Sequence, residues 1–398
     1  MKTLTYKHTV AASFVGYLVL SIACVFVPLL FVTFRNEYGI SLEKTTLLVT
    51  INFTTQVVFD LIAPKLISAL GLRRCCIASH ILTAAGIALL AVLPEVMSDK
   101  FIGIAVCVFL YAAGVGVAEI IVNIIVESCP SDSTAGALSF LHSGYCWGSV
   151  LVVLVSTLFF RLFGTESWRI LAVIWSVVPI LNAVFFTKVP IAELDREEIP
   201  VKKMFTMKTF WVMLVLVVLA GASEQAVEQW VSTFAEASLN VSKSVGDLAG
   251  ILMFSVMMGV ARLVFAKFSV KLDLKVTMAA SLALCVVSYL VITLSPSAVL
   301  SLIGCAVCGL SVGILMPGSF ALSVGSIKGG GVLFAFMALS GDIGCSLGPS
   351  AVGAASEIFG GDLKKGILSA VVFPIIMLTI LIVMKLSDKK TKVKAEIK

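Results

Sequence analysis

Runs of about 20 apolar residues recur from one end of this chain to the other, separated only by short polar, charged or glycine/proline stretches. A helix of that length crosses the hydrocarbon core of a bilayer. Lipid offers the backbone no hydrogen bonds, so segments of this kind must be helices or closed barrels. Unbroken apolar runs exclude the alternating pattern of a barrel strand. Composition agrees: 59% of the 398 residues are hydrophobic and 13% charged, against about 25% charged in a soluble domain. An all-α membrane protein is expected.

Breaking the sequence at its polar stretches gives twelve spans, near 8–34, 42–69, 75–94, 101–128, 135–160, 168–187, 209–235, 246–269, 275–294, 297–325, 330–357 and 366–386. The first run is too long for the apolar part of a signal peptide and lacks a good cleavage site, so it is expected to stay as a span. Most of the ten cysteines lie inside apolar runs. They are expected to be small apolar fillers, with no disulfide framework and no metal site.

Threading the chain with its N-terminus inside puts twenty-one of the 29 basic residues on the inner side and eight on the outer. This is the positive-inside asymmetry, with both termini cytoplasmic. The formal charge of +6 is then topogenic, and no nucleic-acid partner is expected. The partner is the lipid bilayer, of a plasma or inner membrane.

The longest charged connection, "AELDREEIPVKKM", falls midway and leaves six spans on each side. The halves echo each other. Gly114 in "AAGVGVAE" falls against Gly309 in "VCGLSVGI", Gly136 against Gly331, and Asp60 before "LIAPK" against Arg262 before "LVFAK". Three parts are expected: a six-helix bundle over 1–190, a cytoplasmic linker over 191–207, and a second bundle over 208–398 with a short basic tail. A duplicated six-helix unit is a known transporter plan, with the solute site at mid-membrane.

A charge at the centre of a bilayer costs at least ~2.5–3.5 kcal/mol, so intramembrane polar residues face protein or water. Span 4 carries Glu119, Asn123 and Glu127 at i, i+4 and i+8, within about 80° of one helix face. Glu119 and Asn123 sit at mid-depth, whereas Glu127 is near the cytoplasmic end and fits a gate or structural acid, paired with Arg262. Span 7 contains "GASEQAVEQW", in which Glu224, Gln225, Glu228 and Gln229 cover about 140°. Such a face should line a cavity, with Trp230 either a platform for a ring or a packing residue. Asn52 and Gln56 of span 2 are cavity candidates, and Asp60, one turn on, is a structural one. His142 of span 5, in "LSFLHSGYCWG", is either a proton acceptor or a packing histidine. Asp342 of span 11 is a coupling acid or a structural partner. His80 of span 3 is expected to be structural.

Twelve spans in two halves resemble the major facilitator superfamily. Three stretches resemble its fucose–proton symporter branch: Gly114 and Gly116 followed by Glu119 and Asn123; "SFLHSGYCWGS"; and Glu224 with Trp230 six residues on. The branch's fucose carriers use an acid and asparagines in span 1, and "YLVLSIACVFVPLLFV" has neither, so coupling falls to spans 4 and 7. Glu228 is an acid where many relatives have a small residue.

The resemblance implies alternating access with no cofactor. The expected activity is proton-driven symport of a small polar solute, a sugar or sugar derivative, by a monomer. Glu119 and Glu224 would couple the proton. Asn123, Gln225, Glu228, Gln229, Trp230, His142, Asn52 and Gln56 would bind solute. Asp60, Glu127, Arg262 and Asp342 would serve as gate or structural charges. A proton-coupled exporter or antiporter of a cationic or amphipathic compound is the nearest alternative, and a non-transporting sensor or assembly partner is one of another class. No phosphate loop or metal cluster appears in the sequence, and no enzyme is expected.

Overall fold

The computed structural model describes residues 4–40, 42–192, 199–231, 234–235, 250 and 252–396. Lys243, Arg196, residues 193–198 of the linker and most of the start of the eighth expected span lie outside the described residues. Every regular element among the described residues is helical, and eleven helices are long and apolar enough to cross a membrane.

The chain divides into two compact units: residues 1–198 with 328–339, and residues 199–327 with 340–398. The first contains α1 (Tyr6–Leu29), α2 (Phe31–Tyr38), α3 (Leu42–Leu70), α4 (Leu72–Leu89), α5 (Leu93–Val96), α6 (Lys100–Ser128), α7 (Thr134–Phe163) and α8 (Trp168–Phe186). Helix α6 is central, packing on α3 and α4, while α1 packs on α7 and α4 on α8. Polar loop residues start α6 and α7. Asp99 accepts bonds from the Phe101 and Ile102 amides of α6, and Ser133 accepts one from Gly136 of α7. Each cap satisfies amide groups that the first turn leaves without partners.

Proline explains where the first expected span divides. Pro28 has no N–H for the carbonyl four residues back, and α1 ends at Leu29 before the chain restarts as α2. Helix α2 is held by a charged knot. Arg169 pairs with Glu37 and Glu95, Tyr38 donates to Glu95 at 2.7 Å, and the buried Trp168 donates its indole N–H to Glu37 at 2.9 Å. The Tyr38 hydroxyl and the Arg169 guanidinium hold the Glu95 carboxyl below its usual range.

Two polar residues of α4 act as scaffolding. His80 joins three helices: its Nδ1 donates to the Cys76 carbonyl at 2.8 Å, and its Nε2 accepts from Asn182, whose amide also reaches the Ala12 carbonyl. Arg73 donates to the Phe186 and Val189 carbonyls and so closes the end of α8. None of the ten cysteines is in a disulfide, and eight of them are buried.

The second unit contains α9 (Val201–Thr206), α10 (Lys208–Glu228), α11 (Met253–Phe268), α12 (Leu274–Leu294), α13 (Ala298–Val312), α14 (Leu315–Ser326), α15 (Gly330–Ile358), α16 (Leu363–Ser369) and α17 (Val372–Glu396). The first ten residues of α15 group with the other unit. Helix α10 packs on α13, α14 and α17, and α12 on α13 and α17. The tenth expected span is divided, α13 ending at Val312 and α14 starting at Leu315, and so is the twelfth, between α16 and α17. The seventh ends as a regular helix at Glu228, and Gln229 and Trp230 form a turn before helical residues resume at Val231.

Candidate functional site

In the first unit the site is built on α6. From Tyr111 to Glu127 every residue of that helix is buried except Glu119, which is partly exposed. One turn on, the Asn123 amide donates to the Tyr17 hydroxyl at 2.8 Å and to the Glu119 backbone carbonyl at 2.9 Å. His142 Nε2 lies 3.3 Å from both the Tyr17 oxygen and Asn123 Oδ1. These two contacts correspond to different tautomers. With Nε2 bare, the Tyr17 hydroxyl donates to it; with Nε2 protonated, it donates to Asn123 Oδ1. The cluster therefore accommodates a proton on either side of the imidazole.

Glycine brings these side chains within reach. A Cβ at Gly144 would lie 2.6 Å from the Phe14 carbonyl oxygen and 3.0 Å from Tyr17 Cβ. Only a residue without one lets α7 approach α1 so closely. Gly144→Ala should cost about 1–3 kcal/mol as an overpacked contact, read as a lower melting temperature in detergent. At Gly116 a Cβ would fall 2.9 Å from the Gln56 carbonyl oxygen. That glycine seats α3 on α6 and keeps Gln56 and Asp60 beside it.

The sequence alone did not single out Tyr17, because an aromatic in an apolar run reads as core. Tyr17→Phe strands one N–H of the Asn123 amide, the other staying on the Glu119 carbonyl, and removes one His142 option. Leaving a buried polar partner unmatched costs about 1–3 kcal/mol, so a melting-temperature loss of that size is expected, with weakened solute binding if the cluster is the binding site.

On α3, Asn52 and Gln56 are each 6% exposed and Asp60 is 1% exposed. Gln56 donates weakly to Cys24 Sγ at 3.8 Å. Asn52 Oδ1 has no hydrogen-bond partner among the described residues and lines a cavity of about 40 Å³ with Cys24, Val27 and Tyr111. Glu127 is buried near the end of α6. Its expected pairing with Arg262 joins residues of different units and stays a proposal.

In the second unit Arg262 meets a different acid. Its Nη2 lies 3.2 Å from Glu224 Oε2, with both residues buried. Its Nε donates to the Gly313 carbonyl at 2.9 Å. The helix leaves that carbonyl open because the residue four positions on is Pro317, which has no N–H to give it. Gln225 donates to Glu228 Oε2 at 2.6 Å, and the Ser255 hydroxyl to Glu228 Oε1 at 3.4 Å. Glu224, Gln225, Glu228 and Arg262 thus form one cluster, with two carboxyls to one guanidinium. Gln229 is exposed and outside it. The Trp230 indole N–H donates to the Pro349 carbonyl at 3.0 Å, and its ring lies beside Gly353. Asp342 is on α15, half-buried.

Against known families, residues 9–349 match the Major Facilitator Superfamily. The chain belongs to the major facilitator superfamily. It is accordingly a multi-pass membrane transporter and not an enzyme. Among solved structures it is similar to FucP in the outward conformation, with TM-score 0.78 and 14% identity over 94% of this chain and 97% of that one. A variant of the E. coli fucose:proton symporter FucP gives 0.79 at 14% identity, with the same coverage. The proton:xylose symporter XylE, bound to 6-bromo-6-deoxy-D-glucose, gives 0.72 at 12% identity over 94% of each chain. Such identities establish a shared fold. No curated protein matches the chain in sequence.

Proposed function

We propose that this chain is a proton-coupled symporter of a sugar or sugar derivative, working by alternating access as a monomer. The observation that carries this reading is the Tyr17–Asn123–His142 cluster beside Glu119, the one partly exposed residue of an otherwise buried stretch. Hydroxyl, amide and imidazole are neutral groups that both donate and accept, which suits the hydroxyls of a sugar. The acid one turn away supplies a site for a proton. A charged Glu119 in a closed, dry bundle costs desolvation energy, and protonation removes that cost. FucP and XylE, whose fold this chain shares, are described as symporters of a sugar with protons. The lysine and arginine asymmetry supports an orientation with both termini cytoplasmic, and the membrane in this reading is a plasma or inner membrane.

One observation favours export of an organic cation: among the described residues, Glu224 and Glu228 share one cluster with the single guanidinium of Arg262, an excess of one carboxyl. Flux separates the two. Proteoliposomes carrying the protein should accumulate labelled monosaccharides when the lumen is made alkaline, and should not without the gradient. Expulsion of ethidium with no sugar uptake would replace symport by export, and ligand-induced thermal shifts without flux of either kind would leave a sensor.

A further inference from the structure

The two glutamates of α10 are one turn apart but have different company, and that difference divides their duties. Glu224 faces the guanidinium of Arg262 at 3.2 Å. Glu228 is held by neutral groups, the Gln225 amide at 2.6 Å and the Ser255 hydroxyl at 3.4 Å, and has no ion pair among the described residues. It is also the last residue of the regular helix, at the negative end of the helix dipole, which opposes a further negative charge.

Among the described residues, the elements around it offer no other cation at that level. Helix α11 brings Arg262, already engaged, and Lys267, in its last turn. Helices α13 and α14 carry no charged residue. Helix α12 has Tyr289, whose hydroxyl donates to the Ser223 carbonyl, and Lys275 in its first turn. Helix α15 brings further acids: Glu357 near its end, and Asp342, next to the Gly341 carbonyl that lies against Gly221. Helix α17 has Lys385, thirteen residues into the helix, and α9 has Lys202 and Lys203, before α10 begins.

We propose that Glu228 is the proton-carrying carboxyl of the second unit and that Glu224 is the fixed counter-ion of Arg262. This rests on the symport reading and moves the proton one turn along α10 from the place the sequence suggested. The step is a simple protonation: the carboxylate takes one proton at Oε1 and becomes a neutral acid. Ser255 can serve both forms, because a serine hydroxyl donates to the carboxylate and accepts from the acid. Gln225 keeps its donation to Oε2 throughout. The Arg262–Glu224 pair keeps its charges while the proton comes and goes.

Infrared difference spectroscopy between acidic and alkaline pH, on the full chain in lipid, reads protonated carboxyls without any solute. Glu228→Gln should remove one carboxylic C=O band, and Glu224→Gln should leave that band in place. Ser255→Ala, a milder change, should shift the band by removing its hydrogen-bond partner. Arg262→Gln should add a second titrating carboxyl, from Glu224. The assignment is overturned if Glu224→Gln removes the band, if Glu228→Gln leaves it, or if Ser255→Ala leaves its position unchanged. Flux assays separate this result from the transport reading. If the band follows Glu228 but no sugar moves with protons, symport falls and the proton site stands; if coupled uptake persists and the band ignores Glu228→Gln, the reverse holds.

Discussion

Arg262→Met should destabilise the purified protein by about 3–5 kcal/mol, the usual cost of removing one partner from a buried ion pair. Arg262 is 3% exposed and Glu224 7%, so solvent does little to screen the charge left behind. The change also strips the Gly313 carbonyl of the donor that Pro317 fails to supply. Two effects therefore add, and the melting temperature in detergent should fall more than for any other single substitution considered above. The double variant Arg262→Met, Glu224→Gln tests the cause. It removes both charges, and replacing a buried pair by neutral groups is often close to neutral in stability. Recovery of most of the loss identifies the stranded carboxylate as its source. No recovery would mean that Arg262 acts chiefly through Gly313 or through other partners.

Glu119→Gln should abolish uphill accumulation while leaving solute exchange intact. A glutamine occupies nearly the same volume and keeps a hydrogen-bonding head, so α6 and the Tyr17–Asn123–His142 cluster should persist. What it cannot do is change charge. With one proton per solute, a pH gradient of one unit stores about 1.4 kcal/mol and supports about tenfold accumulation. The variant should bring the ratio of lumenal to external sugar back to about one. Counterflow in the same vesicles, measured with labelled monosaccharide outside and unlabelled inside, should remain. Loss of both activities would make Glu119 a solute ligand or a structural acid, and loss of neither would remove it from the mechanism.

Sequence periodicity was sufficient for the membrane helices because the bilayer imposes their length and polarity directly. The helix α6 residues set apart by their spacing, Glu119 and Asn123, do belong to one locality, although Asn123 reaches the backbone of Glu119 and not its carboxyl. Three features were illegible, for different reasons. Tyr17 is an aromatic in an apolar run, and only the approach of α7 at Gly144 reveals its hydroxyl as a partner. The partner of Arg262 is a matter of tertiary packing, though Pro317, four residues beyond Gly313, is a sequence signal that a donor is needed there. The turn after Glu228 has no glycine or proline to announce it, since "SEQAVEQWVS" reads as continuous helix.

The contact between Trp230 and Pro349 joins two imperfect rods. Pro349 cannot donate to the carbonyl of Cys345, which leaves α15 a softer place in its ladder, and α10 has already lost regularity just before Trp230. The indole bond at 3.0 Å, with its ring at Gly353, ties the weak point of one helix to the weak point of the other. A bend that shifts the Pro349 carbonyl must carry the indole with it or break that bond, so the geometry of each helix is felt by the other at this contact. Glu228 stands two residues before it.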